Sequence, residues 1–191
     1  MMGFCRTSGA LAHPRIRMRP TEFTATALLF LLLLSGAVPA AAQAPAKVLV
    51  FDLELVDTSR EPSDPDHAGR LERVTALLRD GLKDGGYTVT GVHDSAVAAE
   101  VPASLYRCNG CERDLGRRAG ADIVVTGFIH KISTLILNMQ IIMRRTGDGG
   151  GDGEVIAVAN ADIRGDNERS WRRGVEWLLR HRLLAAPPSD R

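Results

Sequence analysis

The stretch Ala121 to Ile132, ADIVVTGFIHKI, is apolar on both alternating faces: Ile123, Val125 and Ile129 share one, Val124, Phe128 and Ile132 the other. Alternation with both faces apolar is the pattern of a central strand covered on each side. The fold must therefore place this segment inside a sheet and supply helices to cover it.

The rest of the chain supplies them. KVLVFDLEL, 47 to 55, predicts a first strand with Leu49, Phe51, Leu53 and Leu55 on one face and Val48 and Val50 on the other. DTSREPSDPDHAG is a loop by composition, after which Leu71, Val74, Leu78 and Leu82 recur at helical spacing until Gly85 and Gly86 stop the helix. YTVTGV, 87 to 92, predicts a second strand, and Asp94 and Ser95 cap a short helix that Pro102 ends. Cys111, Leu115 and Ala119 form one face of another helix, closing at Gly120 just before the central strand.

Beyond that strand, LILNMQIIM (135 to 143) places Leu135, Leu137, Met139, Ile141 and Met143 in phase. The glycine-rich turn at 146 to 153 leads to a returning strand, EVIAVANADIRG, with Val155, Ala157, Ala159 and Ile163 in phase. Asn167 to Leu184 predicts a final helix with Trp171, Val175, Leu178 and Leu179 in one stripe and Asp166 or Asn167 as its cap. The order β-α-β-α-α-β-β-β-α predicts an α/β (α+β) fold with a single mixed sheet of about five strands, early strands joined by crossovers and late ones by hairpins.

The amino terminus has a different character. Arg6, Arg15, Arg17 and Arg19 precede an apolar block, Ala25 to Leu34, followed by the small, polar stretch SGAVPAAAQA. This is the three-part pattern of a secretory signal peptide, and its apolar block is short of the roughly 20 residues a membrane span needs. The expected organisation is a leader over 1–42, cleaved after Ala42 with Ala44 as the alternative, a short mature start at 43–46, one domain over 47–184 and a tail at 185–191. Met18 is an alternative start. The remaining chain, about 150 residues, suffices for one core. The full chain carries a formal charge of +1, and loss of four arginines and one glutamate takes it to −2, which argues against a nucleic-acid partner. The expected destination is the periplasm.

Chemistry concentrates at Cys108 and Cys111, the two cysteines beyond the leader. A Cys-x-x-Cys at a helix start suits thiol exchange, with Cys108 attacking, Cys111 resolving and Arg107 favouring the thiolate. The alternative is a disulfide staple in an irregular segment, with Asn109 and Gly110 allowing the close ring. Glu112 stands where a c-type haem would need His, and His67, His93, His130 and His181 lack zinc-ligand spacing with one another or with the cysteines. No metal or cofactor is expected. The aspartates of the glycine-rich turn fit no calcium-loop template.

Two surface sites remain as candidates. Asp52, Glu54 and Asp57 end the first strand near His93 and Asp94, where strand ends favour ligands; acidic strand ends are also common without function. On the last helix Trp177 projects away from the buried stripe, with Arg173, Arg180 and His181 three or four residues away, the composition of an interface anchor.

The segments VLVFDLEL, LGRRAGADIVVTGFIHKIS and IRGDNERSW, with the helix ending in GGY, resemble an uncharacterised family of exported bacterial proteins whose domain is similar to the amino-terminal domain of TolB and to CsgG-like periplasmic modules. The likeness covers about 47 to 184, and its most specific piece is the GAD-strand-G pattern at Gly120 to Gly127. Arg144 and Arg145 depart from it, standing where relatives place an Asp before a Thr-Gly turn. The resemblance implies a non-catalytic module that contacts a protein partner in the envelope or periplasm, and it carries over no catalytic residues.

Overall fold

The computed structural model describes residues 44–108, 110–147 and 153–185. The leader expected at 1–42, most of the glycine-rich turn and most of the tail lie outside them. Six strands form one mixed sheet: β1 (Lys47–Val50), β2 (Glu54–Asp57), β3 (Thr88–Gly91), β4 (Ile123–Lys131), β5 (Ile136–Arg145) and β6 (Val155–Arg164). Their order is β3-β1-β4-β5-β6, with β2 also beside β4. β1, β2 and β3 run parallel to their neighbours, whereas β4, β5 and β6 are successive antiparallel hairpins. Three helices cover the sheet: α1 (His67–Asp84), α2 (Cys111–Arg118) and α3 (Glu168–Leu178), the last continued by a π-helical turn, Leu179–Leu183.

The expected first strand is split. β1 pairs with β4 at Ile123 to Val125 and β2 pairs with it at Phe128 to Lys131, so the two lie end to end along one neighbour. Between them, the Leu53 N–H leaves the ladder and donates to Thr75 Oγ1 of α1 at 3.0 Å. This interruption reverses the facing of the side chains. Phe51 stays with Leu49 on one face of the sheet, but Leu53 joins Val48 and Val50 on the other, which corrects the simple alternation read from 47 to 55.

The larger core lies between one sheet face and the helices α1 and α3. Val74, Leu78 and Leu82 of α1 and Trp171, Val175 and Leu178 of α3 meet Leu137, Met139, Ile141 and Met143 of β5 there. At about 25 cal/mol per Å² of apolar surface removed from water, this layer is the main stabilising term. The smaller core, on the opposite face, gathers Leu49, Phe51, Val92, Val97, Leu115 and Val124 beneath α2. α2 spans only the first half of β4. Phe128 is half-buried and Ile132 is 48% exposed, so the central strand is covered on both sides at its start and on one side at its end.

Three further expectations change. The short helix after Asp94 is two 3₁₀ turns, Val92–Asp94 and Ala98–Glu100. Leu135 lies outside β5 and is 71% exposed. Val155 is exposed because a bulge at Met143 and Arg144 puts it opposite Arg144 and out of phase with Ala157.

Candidate functional site

A groove runs between β6 and α3. Its volume is about 460 Å³, and one wall is the five consecutive residues Asn160 to Arg164 of β6 while the other is Ser170, Arg173, Gly174 and Trp177 of α3. The close approach of the two elements depends on Gly174, where a Cβ would come within 3.0 Å of Ile163 Cδ1. Asn167 caps α3 by accepting from the Ser170 N–H at 3.0 Å, which fixes the start of the helix beside the end of β6. Trp177 is 39% exposed at the end of the groove, with His181 tilted against it at 5.3 Å and the Arg182 guanidinium 5.5 Å above its ring. Arg173 lines the groove, and Arg180 is exposed on the π-helical turn. The indole presents apolar area held among cations, an arrangement that suits contact with a partner surface.

The cysteine pair lies on the opposite face. Cys108 and Cys111 are disulfide-bonded, with Cα atoms 5.8 Å apart, at the amino-terminal end of α2. The Cys111 N–H donates to Cys108 Sγ at 2.9 Å, the contact by which a helix start favours charge on sulfur. Glu112, mostly buried, brings a carboxylate to 3.9 Å from the same sulfur and opposes that charge; Arg144 stands 3.8 Å from the carboxylate's other oxygen. A second hollow of about 250 Å³ opens beside the pair, over the uncovered half of the sheet, with Tyr106, Phe128, Ile142 and Arg144 in its lining.

The acidic strand ends are divided among three places, Asp57 lying beside Lys131. Asp52 accepts from Arg79 at 2.7 Å and pairs with His93, so those two predicted residues meet. Glu54 instead turns to the loop before the cysteines, where it accepts from the Ser104 hydroxyl at 2.9 Å and from the Leu105 and Tyr106 N–H groups. It positions the disulfide segment. Asp94 is exposed at the end of its 3₁₀ turn.

Sequence reasoning missed a buried charge cluster at the carboxyl-terminal ends of β2, β4 and β6. Asp166, with its side chain 3% exposed, accepts from Arg70 at 2.6 Å and His67 at 2.8 Å, and Lys131 Nζ lies 3.5 Å away. Lys131 is also 3.5 Å from Asp57 and from Glu61, and Arg70 reaches Asp64 at 3.0 Å. Trp171 roofs the cluster, stacked on His67 and 5.0 Å from the Arg70 guanidinium.

Charge and hydrogen bonding shift several of these groups. The Ser59 hydroxyl, with Lys131 behind it, holds the Asp57 carboxyl below its ordinary range, and Thr134 does the same for Glu61. The Asp66 N–H and Arg70 lower Asp64. Burial works to lower Lys131, but Asp57, Asp166 and Glu61 together outweigh it and hold the ammonium above its ordinary value. Among the described residues two sets could converge on a metal ion: Asp64, His67 and Asp166, or Cys108, Cys111 and Glu112. Arg70 and Lys131 already satisfy the carboxylates of the first, and the sulfurs of the second are bonded to each other.

The signal for the missed cluster was present. Lys131 keeps the inward parity of Ile123, Val125 and Ile129 on β4, and His67 and Arg70 keep the helical phase of Val74.

The family described as "Protein of unknown function (DUF2380)" matches residues 46–183. The chain belongs to this family. The family segment contains the groove, the cysteine pair and the charge cluster alike. No curated protein matches the chain. Among solved structures it is similar to the LpoB C-terminal domain from Salmonella enterica at 16% identity, covering 72% of this chain and 93% of that one with a TM-score of 0.47. It is also similar to a lipoprotein from Neisseria meningitidis (18% identity, 64% and 83% covered, TM-score 0.43) and to the PelC dodecamer from Paraburkholderia phytofirmans (15%, 73% and 85%, TM-score 0.42). No helix among the described residues is long and apolar enough to cross a membrane.

Proposed function

We propose that this member of the family is an exported, non-catalytic module that binds a protein partner of the cell envelope through the groove between α3 and β6. The observation that carries the reading is Trp177, a large aromatic left 39% exposed at the end of a groove and held there by His181 and Arg182. Interface anchors combine rigid aromatic area with arginine, and this surface has both. The leader-like amino terminus, the bonded cysteine pair and the resemblance to TolB-like and CsgG-like modules support an oxidising, extracytoplasmic setting. In the test, Trp177→Ala lowers cross-linked capture of the partner at least tenfold while the melting temperature moves by no more than about 2 °C, the range of a surface substitution. A large fall in melting temperature would instead make Trp177 a structural residue and remove the reading.

A second reading rests on the Cys111 N–H at Cys108 Sγ: a thiol-disulfide protein with Cys108 attacking and Cys111 resolving. Its measure is the reduction potential of the pair, read by alkylation across a dithiothreitol series. A value between about −120 and −230 mV supports exchange, and one below about −300 mV leaves a structural staple.

A further inference from the structure

The sheet has two sides, and they are unequal: one ends in the four-residue strands β3 and β2, each paired with a single neighbour, and the other in β6. β3, at one end, is four residues long, whereas β6, at the other, runs for ten residues from Val155 to Arg164. Among the described residues β6 pairs only with β5, so its outer row of backbone N–H and C=O groups has no strand partner. Long edge strands are ordinarily blunted by Lys and other charges, by Pro or by a bulge; VIAVANADIR has no Lys or Pro, its charges stand at Asp162 and Arg164 near its end, and its bulge lies at its first residues, which leaves 157 to 161 regular and uncharged.

The unpaired edge also borders the groove, whose strand wall is Asn160 to Arg164. A groove with an edge strand on one side and a helix on the other accepts an extended chain: the backbone completes the ladder and alternate side chains meet the helix. On the side of β6 that faces α3 the charges have one sign. Arg173 lines it, Arg180 follows on the same helix, and neither takes part in an ion pair among the described residues; Arg164 alternates with Ile163 and shares the other face of the sheet with Asn160 and Asp162. The one acid of the wall, Asp162, already accepts from Asn138 at 3.0 Å.

We infer that the groove takes an acidic, extended segment of the partner protein, which adds as a strand to the free edge of β6 with a carboxylate on Arg173 and an apolar side chain on Trp177. The inference rests on the binding reading above and names the chemistry of its partner. A second copy of this chain fits less well. A symmetric β6–β6 pair would bring the arginines of two α3 helices to the same seam, where like charges oppose each other.

The test uses residues 43–191, a compact unit holding the whole sheet, and a synthetic decapeptide of alternating Thr and Glu with its last Glu replaced by Leu. Two control peptides replace every Glu by Lys or N-methylate alternate amides. Binding is followed by tryptophan fluorescence, to which buried Trp171 and exposed Trp177 both contribute, and amide hydrogen exchange locates it. The expected result is saturable binding of the acidic peptide with slowed exchange in 156–164, at least tenfold loss on N-methylation, and no binding of the lysine peptide. Arg173→Glu weakens binding at least tenfold with an unchanged melting temperature; if that variant does not fold, the N-methylated peptide still decides. Three results would overturn the inference: no binding, equal binding of the N-methylated peptide, or an edge already protected in a dimer of the protein alone, which would assign it to a second copy. Failure here with Trp177-dependent partner capture intact would remove the strand-addition chemistry and leave the binding reading standing.

Discussion

Asp166 is the residue on which most of the polar structure converges. Its carboxylate is withdrawn from water and its two oxygens are shared by Arg70, His67 and Lys131, which come from a helix and a strand far apart in sequence. Removing Asp166 leaves Arg70 and Lys131, both buried, with only the more exposed acids Asp64, Asp57 and Glu61, which is more destabilising than never having placed charges there. Asp166→Asn keeps the shape and removes the charge. We expect it to lower the unfolding free energy by about 3 kcal/mol, measured by urea denaturation. A loss below about 1 kcal/mol would mean that water already screens the cluster. In the sequence, Asp166 follows Arg164 and Gly165 at a strand end and reads as a helix cap; Asn167 takes that role, and nothing local separates the two. The cations at 67, 70 and 131 did sit at core-facing positions of their elements. Their burial depends on finding one another in three dimensions, which periodicity alone does not report.

At the scale of elements, the strands and helices were legible because their apolar periods are strong, and the departures from them have local causes. The first strand divides because Thr75, buried on α1, takes the Leu53 N–H out of the ladder, a contact between residues 22 apart in sequence. The central strand looks fully buried from its composition, but α2 has only eight residues and leaves the second half of β4 uncovered. The last helix shows the same limit within the candidate site. Spacing of three and four selects Arg173, Arg180 and His181 as neighbours of Trp177, yet the guanidinium over the ring belongs to Arg182, five residues on. The π-helical turn at Leu179–Leu183 follows directly after Trp177, and its i→i+5 hydrogen bonding, as in the Leu184 N–H to the Leu179 carbonyl at 3.0 Å, brings that spacing into register. A wider turn of this kind has no signature in an apolar repeat.

For the whole molecule, the charge cluster ties α1, the loop ahead of it, β4 and the start of α3 to one end of the sheet, so its protonation bears on global stability. Asp57, Glu61 and Asp64 titrate below their ordinary values of 3.8, 4.5 and 3.8 in the folded protein. A carboxylate lowered on folding contributes stability that is fully present above its unfolded value and is lost as pH falls through the folded one. Lys131 titrates above its ordinary 10.5, so its contribution is fully present below that pH and is lost as pH rises beyond it. The two limbs together predict a melting temperature that is level between about pH 5 and pH 10, falls below about pH 4 and falls again above about pH 10.5. Differential scanning calorimetry across this range checks the shape. Lys131→Met removes the shared cation of Asp57, Glu61 and Asp166, so it should lower the plateau and also make the acid limb shallower, since Asp57 and Glu61 then lose part of what holds them ionised. A variant whose acid limb stays as steep as that of the native chain would assign the acid sensitivity to carboxylates elsewhere and detach the cluster from global stability.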